Sequence, residues 1–365
     1  MTFCLLVHIS RWLRRLGLVL LLLMLVAPTL AENAAQVKRD AAATHIGVIL
    51  PLNANAFRQP AEAVKQGLLA ASQMLPGTPP IRIYSTSDET SNILATYQQA
   101  LNDGATVIIG PLTKSAVAAL AESDLVRVPT LALSVPDREF ANRNLYLFGL
   151  SLDAEARQMA QFMRLEGRNS VLLVSTANAL GKRLQGAFSE TWLRQGGSIA
   201  GQIVYTANTD LNALHNSLST VQADAIFLAL NAQDASLIRP YLLSKIASYA
   251  TSQVFADSSA LNNVDLNGVR FLDMPWLLQP DHPAVMVFNR TEKSLDTDNE
   301  RLYAMGVDAY RLAQLFFQRE MPVSGNILDG VTGQITLGAN QQFTRVLTAA
   351  EFQANVVVVL DHAQP

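Results

Sequence analysis

Residues 107–120, VIIGPLTKSAVAAL, constrain the fold of this chain more than any other stretch. Val107, Ile108 and Ile109 are β-branched and suit a buried strand. Gly110 and Pro111 end that strand, Thr113 and Ser115 place hydroxyls where a helix begins, and an alanine-rich segment follows. A buried strand that stops abruptly at a helix N-terminus is the repeating unit of an open α/β sheet. The carboxyl edge of such a sheet, facing helix N-termini, is where ligands bind.

The same unit recurs along the chain. Residues 45–52 read as a strand, and Ala61, Val64, Leu68, Ala71 and Leu75 recur at helical spacing up to Pro76-Gly77. Residues 81–84 read as a strand, 90–101 as a helix, and 128–133 as a fourth strand ending at Ser134. A second series follows, with Asp153 expected to cap a helix that runs through Leu165. Strands at 170–175, 199–205 and 223–230 alternate with helices at 181–194, 211–221 and 233–247. This alternation predicts an α/β protein of two Rossmann-like lobes with parallel, doubly wound sheets joined by crossover strands.

The last quarter returns to the first lobe. Residues 271–278 read as an extended crossing segment, and 292–300 as a solvated polar loop. Residues 301–317 form an amphipathic helix with Leu302, Met305, Ala309, Leu312, Ala313 and Phe316 on one face. Residues 333–337 and 343–347 read as a β-hairpin, and 356–360 as one more strand. The expected division is lobe I at 45–150 plus 275–323 and lobe II at 151–274 plus 324–362, after a signal at 1–31 and a leader at 32–44.

That signal rests on Arg11, Arg14 and Arg15, an apolar run from 17 to 26, and a small-residue cleavage site at Ala31. The apolar core is roughly ten residues, short of the about 20 needed to span a bilayer. The pattern predicts export to the periplasm. Cys4, the one cysteine, lies ahead of the apolar core and leaves with the signal, so no lipobox is read. The formal net charge is −3, and loss of the three arginines makes the chain more acidic still. That balance argues against a nucleic-acid partner.

Motifs of catalysis are missing from the sequence. The histidines, at 8, 45, 215, 282 and 362, have no metal-ligand spacing, and there is no HExxH, GxSxG, GxGxxG or SxxK. In GPLTKS a threonine stands where a phosphate loop needs glycine before Lys-Ser. The expectation is a protein with no catalytic residues, no metal and no cofactor. The candidate cleft residues are Thr113, Ser115, Ser134, Asn178 and Asn231, each at a strand end. Thr113, Ser115 and the two asparagines have a second reading as helix or loop caps. Pro136, which offers no N–H, follows Ser134. Trp192, Phe188 and Tyr303 read as core residues.

With these residues in view, the chain resembles the penicillin-binding protein activator (LppC-type) family, in its carboxyl-terminal domain, within the type I periplasmic binding protein-like fold. The resemblance is carried by IGVILPL at 46–52, GPLTK at 110–114, DAEAR at 153–157, and Gly181, Arg183, Ala187, Phe188 and Trp192. Its most specific block is Arg301, Tyr303, Met305, Gly306 and Asp308, followed by Gly330 and Gly333 in DGVTG. The resemblance implies a regulator of peptidoglycan biosynthesis that contacts a class A penicillin-binding protein, a bifunctional peptidoglycan synthase. It also implies an interlobe cleft able to take a small molecule, and association with the outer membrane in members that carry a lipid anchor and a helical-repeat amino-terminal domain. The alternative is a solute receptor of an ABC transporter for an amino acid or cell-wall fragment. Gly306, in mid-helix, suggests close approach of another backbone.

Overall fold

The computed structural model describes residues 44–360 except 78, 88–89, 139, 244, 258, 260–262, 292, 322–323 and 339. The expected signal, the leader up to residue 43 and the last two residues of lobe II lie outside the described residues.

The first sheet is built from β1 (His45–Leu50), β2 (Ile81–Ser85), β3 (Ala105–Ile109), β4 (Thr130–Ala132) and β5 (Leu145–Leu147). All its pairs are parallel, in the order β2-β1-β3-β4-β5. Its helices are α1 (Arg58–Met74), α2 (Thr90–Asn102) and α3 (Lys114–Ala121). This order reverses direction between β1 and β3, the switch point at which doubly wound sheets open a crevice. β1 is buried along its whole length, as a strand covered on both faces must be.

The second sheet repeats the plan. After α4 (Leu152–Leu165) come β6 (Ser170–Thr176), α5 (Ala179–Arg194), β7 (Ser198–Tyr205), α6 (Leu211–Ser217), β8 (Ala225–Ala229), α7 (Ala232–Ile238), β9 (Ala247–Ala250) and β10 (Val269–Asp273). Then come α8 (Pro275–Leu278), α9 (Pro283–Met286), α10 (Thr297–Gln318) and five strands. These are β11 (Gly325–Gly330), β12 (Gly333–Leu337), β13 (Phe343–Val346), β14 (Thr348–Gln353) and β15 (Val356–Val359). The second sheet runs β15-β14-β10-β9-β8-β6-β7, and β11-β12-β13 form a small third sheet.

Several elements differ from the sequence reading. The expected helix over 233–247 ends at Ile238, passes through a 3₁₀ turn containing Pro240, and gives way to β9. Proline removes the N–H that the next helical turn would need. Residues 269–273 are a full member of the sheet, parallel to β9 and antiparallel to β14, before the chain turns into α8. The long helix starts at Thr297, capped by the Asp296 carboxylate accepting from Asn299 N at 2.8 Å, so part of the expected polar loop is its first turn. The expected hairpin has a third strand, β11, and the tail has a second, β14. Both β14 and β15 join the second sheet antiparallel, which closes its otherwise parallel edge.

One apolar core runs under both parallel sheets. It contains Ile46, Val64, Val107 and Phe148 from the first half, Phe188, Trp192 and Phe227 from the second, and Met305, Ala309 and Leu312 of α10. Phe188 stacks on Phe227 with ring centroids 4.0 Å apart.

Candidate functional site

The organising stretch forms the edge of a cleft. Gly110 has φ +104°, and a Cβ there would lie 2.1 Å from the Ile49 carbonyl oxygen, so only glycine lets β3 leave the sheet here. The peptide bond to Pro111 is cis. Leu133 N donates to Pro111 O at 2.9 Å, fixing the loop after β3 to the end of β4. Thr113 is the N-cap of α3, its Oγ1 accepting from Ala116 N at 3.3 Å, and Ser115 Oγ lies 3.2 Å from the same oxygen.

Across from this edge stands the start of α4. Its N-cap is Ser151, whose hydroxyl accepts from Ala154 N at 3.3 Å. Asp153, expected as the cap, lies one residue into the helix and is ion-paired with Arg183 of α5 at 3.0 Å. Its carboxylate favours the positive end of the helix dipole from within the first turn. The cleft between these edges has a volume of about 990 Å³. Thr113, Ser115 and Ser134 line one side, Ser151, Arg157 and Arg183 the other, with Met305 of α10 at its base. Lys114 pairs with Asp137 at 2.5 Å, and its ammonium holds the Asp137 carboxyl below the usual carboxylate range. Arg157 is exposed and makes no ion pair among the described residues.

Three of the five sequence candidates therefore share one cleft. Asn178 does not line it and instead caps α5, accepting from Gly181 N at 2.8 Å. Asn231 caps α7, accepting from Asp234 N at 2.8 Å, and lines a separate pocket of about 290 Å³ beside Arg301. Sequence reasoning missed Lys114, Asp137, Arg157 and Arg183. Each lies within a few residues of a strand end or helix start, and that position was the available signal. Chemically, hydroxyls, cations and the N-terminal turns of α3 and α4 suit an anionic polar group. Among the described residues, no group of three or more His, Asp or Glu side chains is placed to hold a metal ion.

The signature residues form a different structure. Asp308 is fully buried in α10 and accepts from Thr332 N at 2.8 Å, Thr332 Oγ1 at 2.7 Å and Val331 N at 3.2 Å. Arg311 completes its shell at 2.9 Å. The turn it grips is flanked by Gly330, where a Cβ would lie 2.5 Å from Asp308 Oδ2, and Gly333, with φ +120°. Arg301 pairs with Asp273 at 2.6 Å and donates to the carbonyls of Ser252 and Phe255, both at 2.9 Å. Tyr303 donates its hydroxyl to Asn289 O at 2.6 Å. Gly306 meets α1, where its Cβ would sit 2.2 Å from Val64 O, and Gly67 of α1 approaches Tyr303 O in the same way.

Two further buried charges escaped the sequence reading. Glu155 accepts from Ser252 Oγ at 2.6 Å, and burial pushes its carboxyl above the ordinary range. Arg345 of β13 lies 3.9 Å from it, and burial lowers its guanidinium. They belong to one internal network with Asp273, Arg301 and Asp308.

Comparison with known proteins places this geometry. The sequence matches the family described as "LppC putative lipoprotein" over residues 36–355. It is 30% identical over 340 residues to the penicillin-binding protein activator LpoA of Pectobacterium parmentieri, covering 80% of this chain and 50% of that protein. The chain thus spans about half the length of the curated relatives it matches. Among solved structures, one titled as a "putative branched-chain amino acid ABC transporter" from Chromobacterium violaceum superimposes with a TM-score of 0.73 at 40% identity, over 84% of this chain and 99% of that one. The LpoA C-domain of Haemophilus influenzae, titled a regulator of PBP1A, gives 0.73 at 23% identity, over 87% and 99%.

Proposed function

The chain belongs to the LppC family, and from that premise we propose that it is a non-catalytic periplasmic regulator that activates a class A penicillin-binding protein by protein–protein contact. The observation that carries this reading is the extent of the family match. It runs from residue 36 to residue 355 and includes the helix and turn joined by Asp308. Relatives matched over the same region are named as activators of penicillin-binding proteins. The sequence pattern of residues 1–31 supports export. In this reading the lobes divide at 45–150 with 275–323 and at 151–274 with 324–362, and Thr113, Ser115 and Ser134 mark the cleft edge between them. Chemical crosslinking in the native envelope, followed by capture of this chain, tests the partner. A class A synthase in the captured set supports the proposal, and its absence under conditions that capture other envelope partners removes the support.

A second reading is favoured by one observation, the 40% identity to the Chromobacterium violaceum protein named as a branched-chain amino acid ABC transporter. In that reading the cleft receives an amino acid or a cell-wall fragment and the lobes close on it. A thermal-shift screen with amino acids and muropeptides separates the two. A ligand at 100 times its Kd stabilises by about 2.7 kcal/mol, and a flat screen leaves the regulator reading.

A further inference from the structure

A second groove opens beside the cleft, with a volume of about 660 Å³, and the two share Val135, Pro136, Asp137 and Gln342 along a common rim. Its floor is apolar. Tyr146 of β5 packs on Phe316 of α10 with centroids 4.4 Å apart, and Leu147, Leu337 and Met321 extend that surface. The hairpin turn closes one end. Gln341 donates its side-chain amide to Arg143 O, and Leu147 N donates to Gln341 O at 3.0 Å. The Tyr146 hydroxyl bonds no described group.

The charge at the rim is one-sided. Arg138 and Arg143 line the groove, and the one carboxylate among its lining residues, Asp137, is already neutralised by Lys114. Arg143 is exposed and has no ion pair among the described residues. Arg138 lies over the Phe140 ring at 5.4 Å and pairs with Glu122 at the surface. Taken with the neighbouring cleft, five lining cations meet three carboxylates, Asp137, Asp153 and the adjacent Glu122, which leaves Arg143 and Arg157 without an ion pair among the described residues, in a chain whose overall charge is −3. The positive balance is thus local and lies over an apolar floor.

We propose that this groove is the docking site for a protein segment in which an aliphatic or aromatic anchor is flanked by carboxylates. The identification of its owner as the class A synthase rests on the reading above. A protein segment fits better than a glycan strand. Sugar rings stack on open aromatic faces, whereas here Phe140 lies under Arg138 and Tyr146 packs against Phe316. A recess walled by methionine and leucine takes a side-chain anchor, and the arginines steer and orient its acidic flanks.

The test is the Kd of the full chain for its purified class A synthase, measured with Arg138→Glu/Arg143→Glu, with Met321→Glu, and with Arg194→Glu on α5 outside the groove. The expected result is at least tenfold weaker binding for the double reversal and for Met321→Glu, an unchanged Kd for Arg194→Glu, and a salt dependence that the double reversal abolishes. Wild-type affinity in both groove variants overturns the groove and leaves the synthase reading intact. A wild-type chain that fails to bind any class A synthase overturns both. Soluble glycan fragments that compete for the site in an Arg143-dependent way overturn the protein segment as occupant.

Discussion

Asp308 shows how a single carboxylate can hold two distant parts of this chain together. It sits in mid-helix with no solvent contact and takes both backbone N–H groups and the hydroxyl of residues 331–332. Removing it leaves those donors and Arg311 without their acceptor, and breaking such buried ionic contacts costs about 3–5 kcal/mol. Asp308→Ala should lower the free energy of unfolding by that amount, seen as a lower urea midpoint at unchanged m-value, and a loss under about 1 kcal/mol would show that water replaces the carboxylate. Glu155 yields a prediction of opposite character. Burial raises its folded-state pKa above the unfolded value, so between the two the folded state binds more protons. Stability contributed by the protonated form is present at low pH and is lost as pH rises through the raised pKa. Melting curves above the ordinary carboxylate range should slope downward with pH, and Glu155→Gln should flatten that slope. An identical slope in both proteins would refute the assignment. Neither Glu155 nor its neighbour Arg345 stood out in the sequence, because Glu and Arg are almost always exposed and only their partners, far away in the chain, reveal otherwise.

At the scale of elements, the contact of α1 with α10 fixes how the long helix returns to the first sheet. Gly67 and Gly306 each face the other helix's backbone within a distance no Cβ could occupy. Alanine gains about 1 kcal/mol in helix propensity over glycine. At Gly306 the clash is with a backbone carbonyl that cannot swing aside, and overpacking costs about 1–3 kcal/mol. Gly306→Ala should therefore destabilise, whereas Gly186→Ala in α5, with open space around it, should stabilise by up to about 1 kcal/mol. Thermal melts of the two variants decide the matter, and equal shifts would contradict the close-contact account. The helices and buried strands were legible because apolar spacing is local, as in residues 107–120. β9, β11 and β14 were not. β9 is four residues long and follows a proline-containing turn, and β14 reads TAAEFQ, with little β-branched content. β14 is a strand because it pairs antiparallel with β10, whose register places Asp273 opposite Thr348. No local pattern contains that pairing.

At the scale of the molecule, two doubly wound sheets, one extended antiparallel by the chain's tail, place the starts of α3 and α4 around a cleft and a basic groove beside it. The alternation of elements made this plan readable from the sequence, including Thr113, Ser115 and Ser134 at a strand edge. The sequence could not place Asn178 and Asn231 outside the cleft, since an asparagine at a strand end has the same local signature whether it caps a helix or faces a ligand. Nor could it place Arg157 or Arg183 in the cleft, since that depends on helices brought together by folding. The cleft and groove together make a surface suited to recognition, and the central claim is that this recognition regulates a synthase. The direct measurement is the rate of glycan polymerisation and crosslinking by the purified class A synthase on lipid-linked precursor, with and without this chain in molar excess. A rise in rate that saturates with added chain is the expected result; an unchanged rate with every class A synthase of the same cell would contradict it.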